Sequence, residues 1–68
     1  MSATNITTTP DADWTIVLWD GVPVARVRDD LTAEWLPMFW ALTEWEGDEV
    51  RRRCHREQYR IAGIQVYP

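Results

Sequence analysis

The chain has 68 residues, of which seven are basic and eleven acidic, so its formal net charge is −4. A chain this short forms one domain at most and buries only roughly 60% of the surface that it exposes when unfolded. The acidic balance argues against general nucleic-acid binding, which needs a basic surface. All seven basic residues are arginines. Because arginine codons are GC-rich, we expect the source to be a GC-rich bacterium or its phage.

Small domains often need disulfides or a metal ion for stability. A single cysteine, Cys54, cannot form an intramolecular disulfide, and one cysteine with one histidine cannot complete a tetrahedral zinc site. We therefore expect no metal and no cofactor. Large apolar side chains or self-association are the remaining means of stabilisation, and five tryptophans fit the first of these.

The N-terminal segment predicts neither secretion nor membrane contact. It lacks the basic and apolar regions of a secretory signal, and no apolar run in the chain approaches the length of about 18 residues that spans a bilayer. A cytoplasmic location is expected. Residues 1–13 are rich in threonine, serine and aspartate, with one isolated isoleucine, and are predicted to be a flexible tail before a single domain over residues 14–68.

Two β-rich runs, "WTIVLW" and "VPVARVR", flank Asp20-Gly21. Asp-Gly predicts a β-hairpin because a type I′ turn needs positive φ at both central residues. A two-residue turn also fixes which residues share a face. One face carries Trp14, Ile16, Leu18, Pro23, Ala25 and Val27, and the other carries Thr15, Val17, Trp19, Val22, Val24 and Arg26. Both faces are largely apolar, as in sheets that are covered on both sides.

The next segment, "TAEWLPMFWALTEWEG" at residues 32–47, has apolar residues at helical spacing. It predicts a tryptophan-rich helix that begins near Ala33 and is ended by Gly47. Leu36 and Trp40 fall outside the arc that would face the core. That arc contains Trp35, Met38, Phe39, Leu42 and Trp45.

The remaining residues predict a short second helix from Asp48 to about Glu57, then a strand within "YRIAGIQVY" with a bulge at Gly63. The predicted fold class is therefore α+β, a small single domain. It has a β-hairpin, one or two helices and a third strand (ββα(α)β), and its three-stranded antiparallel sheet packs on the tryptophan-rich helix.

One helical layer covers only one face of a sheet, so part of this apolar surface is left over. Exposed apolar patches larger than a few hundred Å² usually mark interaction sites, and tryptophan is enriched at binding hot spots. The sequence thus predicts a non-enzymatic protein-interaction module, a homodimer that acts as an accessory or regulatory protein by binding another protein. The alternative is a core that closes over nearly all its aromatic residues. The predicted interface consists of Val17, Trp19, Val22, Val24, Leu36 and Trp40.

The run "RRRCHR" suggests an alternative function, a nucleic-acid-binding regulator. Its arginines would contact phosphates, to which the guanidinium group binds in a bidentate manner. The simpler interpretation is a solvated helix face whose arginines pair with Asp48, Glu49 and Glu57. It is favoured because no glycine-rich loop or other nucleic-acid-binding motif accompanies the run. The candidate contacts are Arg51, Arg52, Arg53 and Arg56.

No arrangement of residues predicts catalysis. Cys54 and His55 are neighbours, and neighbours on a helix point about 100° apart, so they cannot form the hydrogen bond that activates a thiolate nucleophile. We expect Cys54 to be buried and His55 to be exposed. The carboxylates cluster near predicted helix ends, where capping and the helix dipole account for them. The chain is therefore predicted not to be an enzyme.

Overall fold

A computed structural model describes residues 5–63 of the chain. Within this range a four-stranded antiparallel sheet carries one α-helix, so the α+β class is confirmed. The spatial order of the strands follows their order in the chain, and a short 3₁₀ helix connects the sheet to the α-helix. The elements are β1 (Ile6–Asp11), β2 (Trp14–Trp19), β3 (Val22–Val27), β4 (Ala33–Trp35), the 3₁₀ helix (Pro37–Ala41) and α1 (Glu44–Ile61).

Strand β1 corrects the prediction of a flexible tail over residues 1–13. All six of its residues pair with β2, from Ile6 opposite Trp19 to Asp11 opposite Trp14. Composition argued against order because the segment has almost no apolar side chains. However, a strand is also held by backbone hydrogen bonds to its neighbour, and the three consecutive threonines favour extended structure. The polar segment is therefore ordered at the edge of the sheet.

The predicted hairpin is confirmed, with φ values of 51° at Asp20 and 81° at Gly21. The predicted register holds next to the turn, where Trp19 lies opposite Val22 and Leu18 opposite Pro23. It then shifts at a β-bulge, because Val24 is an extra residue that has no partner in β2. Beyond the bulge, the pairs are Val17 with Ala25, Ile16 with Arg26 and Thr15 with Val27.

The bulge changes which residues face the core. Val17, Ala25 and Val27 have no exposed surface, and the bulged Val24 is only 1% exposed. The 3₁₀ helix and α1 both pack on this inner face of the sheet. The face that contains Val17 and Val24, two residues of the predicted interface, is therefore covered by the chain itself. Alternation along β2 places the other hairpin face, with Trp14, Ile16 and Leu18, on the far side from α1.

The predicted tryptophan-rich helix does not form. Leu36 precedes a proline and is extended (φ −81°, ψ 161°), as the residue before proline usually is, so the chain enters a 3₁₀ helix at Pro37. A new helix then begins with a capping box. The Thr43 hydroxyl accepts a hydrogen bond from the Glu46 N–H (3.2 Å), and the Glu46 carboxylate accepts one from the Thr43 N–H (2.9 Å). The apolar residues whose spacing predicted one helix thus span two places where the backbone is extended, at Leu36 and at Leu42.

Gly47 does not end a helix, because α1 runs through it without interruption to Ile61. The predicted second helix is therefore the greater part of one helix of 18 residues. Gly63 is not a strand bulge but follows the end of α1, with a positive φ of 77°. Residues 59–61 of the predicted third strand are helical, and the rest of it, from Ile64, lies outside the described residues.

The core is formed mainly by small apolar side chains, and none of the five tryptophans is fully buried. Trp19 and Trp35 lie at its margin, while Trp40 and Trp45 are exposed. Most of the aromatic residues that were predicted to fill the core instead surround it. The buried apolar residues are Val17, Val24, Ala25, Val27, Phe39, Val50 and Cys54.

The same substitution at two glycines should have opposite effects on stability. At Gly47 an added Cβ would lie 3.6 Å from the Phe39 ring, an ordinary van der Waals distance, so Gly47→Ala should raise the free energy of unfolding by about 0.5–1 kcal/mol through helix propensity. At Gly63 the space is open but φ is 77°, so Gly63→Ala should lower it. Urea denaturation of both variants measures the difference. A destabilising Gly47→Ala would show that Phe39 cannot accept even a methyl group.

Candidate protein-binding surface

Among residues 5–63, four of the five most exposed large apolar side chains belong to the hairpin turn, the 3₁₀ helix and the start of α1. Val22 is 40% exposed, Met38 51%, Trp40 68% and Trp45 61%. We call these four residues, together with Trp19, the aromatic surface. All of its residues except Trp45 line one of two shallow depressions that share Leu42 in their walls.

The first depression joins the hairpin turn to the 3₁₀ helix. It has a volume of about 200 Å³ and lies between Trp19, Val22 and Met38, with Asp20 at its edge. The ring of Trp19 is held edge-to-face against that of Trp45, with 6.4 Å between the ring centroids. The start of α1 is thereby connected to the hairpin turn through two indole rings.

The second depression, of about 180 Å³, lies between the 3₁₀ helix and α1. Trp40 stands at its edge and packs edge-to-face on Phe39, with 5.0 Å between the centroids. Glu44 and Arg51 also line it. Because Phe39 is buried and packs against Gly47, it gives Trp40 a fixed support. The exposed indole is thus oriented by the core, although little of it is covered.

The six residues of the predicted interface do not form one exposed surface, although Trp19, Val22 and Val24 line the first depression together. Trp40 and Val22 are exposed, as expected, whereas Trp19 and Leu36 are half-buried. Val17 and Val24 are core residues at 0% and 1% exposure, so they present almost no surface to a partner. The cause is the unforeseen bulge at Val24, together with the packing of both helices on that side of the sheet.

Sequence reasoning missed Met38 and Trp45 because it placed them on the core side of one long helix. Two signals in the sequence could have separated them. Pro37 ends the extended segment, and "TEWE" at residues 43–46 matches the capping-box pattern. With α1 starting at Glu44, Trp45 belongs to its first turn, on the side opposite Val50 and Cys54.

The charge at the edge of the aromatic surface is mainly negative. Asp20 and Glu44 line the two depressions, and neither forms an ion pair within residues 5–63. The nearby Arg51 is neutralised by Asp48 at 2.8 Å, and its guanidinium lies 5.4 Å from the centroid of the Phe39 ring. The surface therefore combines exposed aromatic rings with uncompensated acidic groups.

The four arginines of the predicted basic patch line one wide depression beside Ile6, of about 690 Å³. Three of them are paired with acids on the same helix, as the simpler interpretation expected. The pairs are Arg51 with Asp48 (2.8 Å), Arg52 with Glu49 (2.6 Å) and Arg53 with Glu57 (3.2 Å). Arg56 has no carboxylate partner in the part of the chain that the structure describes. Most of the positive charge of the run is thus compensated locally.

Glu57 is the buried acid of this helix, at 7% exposure. Burial by itself would raise its pKa, but hydrogen bonds from Arg60 and Arg53 hold the pKa below the usual value of 4.5. The carboxylate is therefore charged at neutral pH and links two arginines along α1. Its role is structural.

Cys54 is buried at 1% exposure, as predicted, and His55 is exposed and stacks on Tyr59 with 4.5 Å between the ring centroids. Burial raises the pKa of the Cys54 thiol to about 12, with the nearby charge of Glu57 acting in the same direction and that of Arg53 opposing it. The thiol is therefore protonated at neutral pH and is a poor nucleophile. Among residues 5–63, no three histidine, cysteine or acidic side chains are placed to bind a metal ion.

Over the described range, neither helix has the length and apolar character needed to cross a bilayer. The cytoplasmic location stays a prediction. Comparisons of the chain with family models, with curated proteins and with solved structures gave no match. A proposal for its function therefore depends on its own surfaces.

The raised pKa of Cys54 predicts a loss of stability at high pH. An unfolded thiol titrates near 9.0 and the folded one near 12, so between these values only the unfolded state releases the proton. The free energy of unfolding should fall across this range by at most about 1.4 kcal/mol per pH unit. Urea denaturation at pH 8 and pH 10.5 should show a smaller loss for Cys54→Ala than for the wild type. The packing cost of the substitution cancels in this difference, and equal losses would contradict the prediction.

Proposed function

We propose that this chain is a small non-enzymatic protein-interaction module, an accessory or regulatory protein that binds another protein through the aromatic surface. The observation that carries the proposal is the exposure of Val22, Met38, Trp40 and Trp45, at 40–68%. The first three line two adjoining depressions, and Trp45 packs on Trp19 in the wall of one of them. Apolar groups gathered in this way are rare on monomers that have no partner.

Trp40 is the expected anchor of the interface. Covering an exposed indole of this size removes well over 100 Å² of apolar surface from water, which favours binding by about 2–4 kcal/mol. Because Phe39 already supports the ring, less side-chain entropy is lost when a partner covers it. Trp40 also lies outside the buried core, so its removal should affect binding more than folding.

The charges at the edge of the surface indicate the chemistry of the partner. A protein segment with an apolar anchor and flanking arginine or lysine residues would complement Asp20 and Glu44. Its cations could also lie over the exposed faces of Trp40 and Trp45. Two copies meeting through this surface about a two-fold axis would bring like charges together, so it is poorly suited to self-association. The predicted homodimer stays a prediction and needs a different interface.

Selection from a random peptide library on the immobilised chain tests this proposal. We expect enriched peptides to contain an aromatic or aliphatic residue flanked by basic residues, and to bind more weakly as salt rises. Trp40→Ala should weaken their binding at least tenfold, measured by fluorescence anisotropy, while the thermal unfolding midpoint stays close to that of the wild type.

Leu31→Ala is the matched control, because Leu31 is 46% exposed but lies beyond the opposite end of β3 from the hairpin turn. It should leave peptide binding unchanged. Equal binding by wild type and Trp40→Ala would refute the role of the aromatic surface. Unfolding of Trp40→Ala would instead make the ring part of the stabilising core.

The nucleic-acid alternative is less well supported, because three of its four arginines are paired and the chain is acidic overall. We expect labelled single- and double-stranded oligonucleotides to show no saturable change in anisotropy at low salt. Binding that falls steeply with salt and is weakened by Arg56→Ala would favour the alternative, since Arg56 is the cation of the run with no acidic partner among residues 5–63.

A further inference from the structure

We propose that the outer sheet face, the side of the sheet that points away from α1, is the interface between two copies of this chain. This inference does not depend on the proposed function, because the aromatic surface lies at the turn end of the sheet and beside the helices. Alternation and strand pairing place six residues at the centre of the outer sheet face, namely Trp14, Ile16, Leu18, Pro23, Arg26 and Glu34.

Strand β2 is apolar on both of its faces. Its inner residues include the fully buried Val17, and its outer residues are Trp14, Ile16 and Leu18, each half-buried. An antiparallel sheet with one face in water normally alternates apolar and polar residues, whereas β2 has the pattern of a strand that is covered on both sides. Within residues 5–63, both helices pack on the inner face, which leaves the outer one without a second layer.

The strand residues of the outer sheet face are balanced in charge, which suits an interface in which the same surface of two copies meets itself. The guanidinium of Arg26 lies 4.1 Å from the centroid of the Trp14 ring and binds Glu34 at 2.6 Å. Arg28 lies 5.1 Å from the same ring, and Asp11 is paired across the strands with Trp14. Two cations and two acids thus lie on or beside this face. Two copies can therefore approach each other without the repulsion expected at the aromatic surface.

The dimensions of the molecule suit packing of one sheet on another. Its extents are 30 × 28 × 17 Å, which fits a sheet layer and a helix layer stacked along the short axis. The outer sheet face is then one of the two broad faces. A stable dimer needs roughly 800 Å² from each partner, about a sixth of the 4788 Å² surface of the chain. Two such faces would pack about 10 Å apart, as in β-sandwiches.

Light scattering across a dilution series of the full chain tests the proposal. The wild type should have twice the monomer mass at high micromolar concentration and approach the monomer on dilution. Leu18→Thr, which keeps a strand-forming residue, should raise the dissociation constant at least tenfold. Thr9 lies opposite Ile16 and so belongs to the outer sheet face, and Thr9→Arg should do the same because it would bury a charge without a partner in the interface. Thr9 is exposed, so this second variant does not threaten folding, and circular dichroism verifies the fold of both.

Trp40→Ala is the control, and it should leave the mass unchanged at every concentration. A wild type that has the monomer mass at every concentration overturns the proposal. The outer sheet face would then be left for another segment of the chain or a different protein to cover. A dimer that survives both outer-face variants also overturns it. If Trp40→Ala then dissociates that dimer, self-association belongs to the aromatic surface. None of these results decides peptide binding, so the two proposals can fail separately.

Discussion

The packing of Phe39 against Gly47 is the contact on which the two helical segments and the aromatic surface depend. The Phe39 ring is buried and lies beside Gly47 on the first turns of α1, which fixes the 3₁₀ helix on the core. Trp35 stacks on one side of Phe39 at 4.7 Å, and Trp40 meets its ring edge-to-face at 5.0 Å. One buried ring thus orients a structural tryptophan and an exposed one. Substitutions that shift the Phe39 ring should therefore change the orientation of Trp40 as well as stability.

A second constraint, the bulge at Val24, decides which side of the sheet receives the helices. One extra residue in β3 brings Ala25 and Val27 to the same face as Val17, and that face becomes the core. A change of one residue in register exchanges the two faces of a strand, so the whole apolar set of β3 depends on it. The outer residues of β2 remain on the other side. The aromatic surface and the outer sheet face consequently differ in character. The first is aromatic with acidic residues at its edge, and the second is balanced in charge.

The sequence predicted correctly those features that depend on neighbouring residues alone. Asp20-Gly21 predicted its turn because few other residue pairs accept two positive φ values, and the burial of Cys54 followed from helical spacing. The predictions that failed concern features that depend on contacts between distant parts of the chain. The polar strand β1 is ordered by its pairing with β2, which composition does not reveal. The bulge at Val24 could not be predicted either, because both registers leave apolar residues on both faces of the hairpin.

The exposure of the tryptophans has two causes that can be separated. A domain this small cannot surround five indole rings, and the fully buried side chains among the described residues are those of valine, alanine and cysteine. Trp19 and Trp35 are therefore half-covered at the margin of the core, which size alone explains. Trp40 and Trp45 are different, because at 68% and 61% exposure they contribute little buried area. Stability accounts for part of each ring, through the edge-to-face contacts of Trp45 with Trp19 and of Trp40 with Phe39, and the larger exposed part of both indoles is left for the partner that we propose.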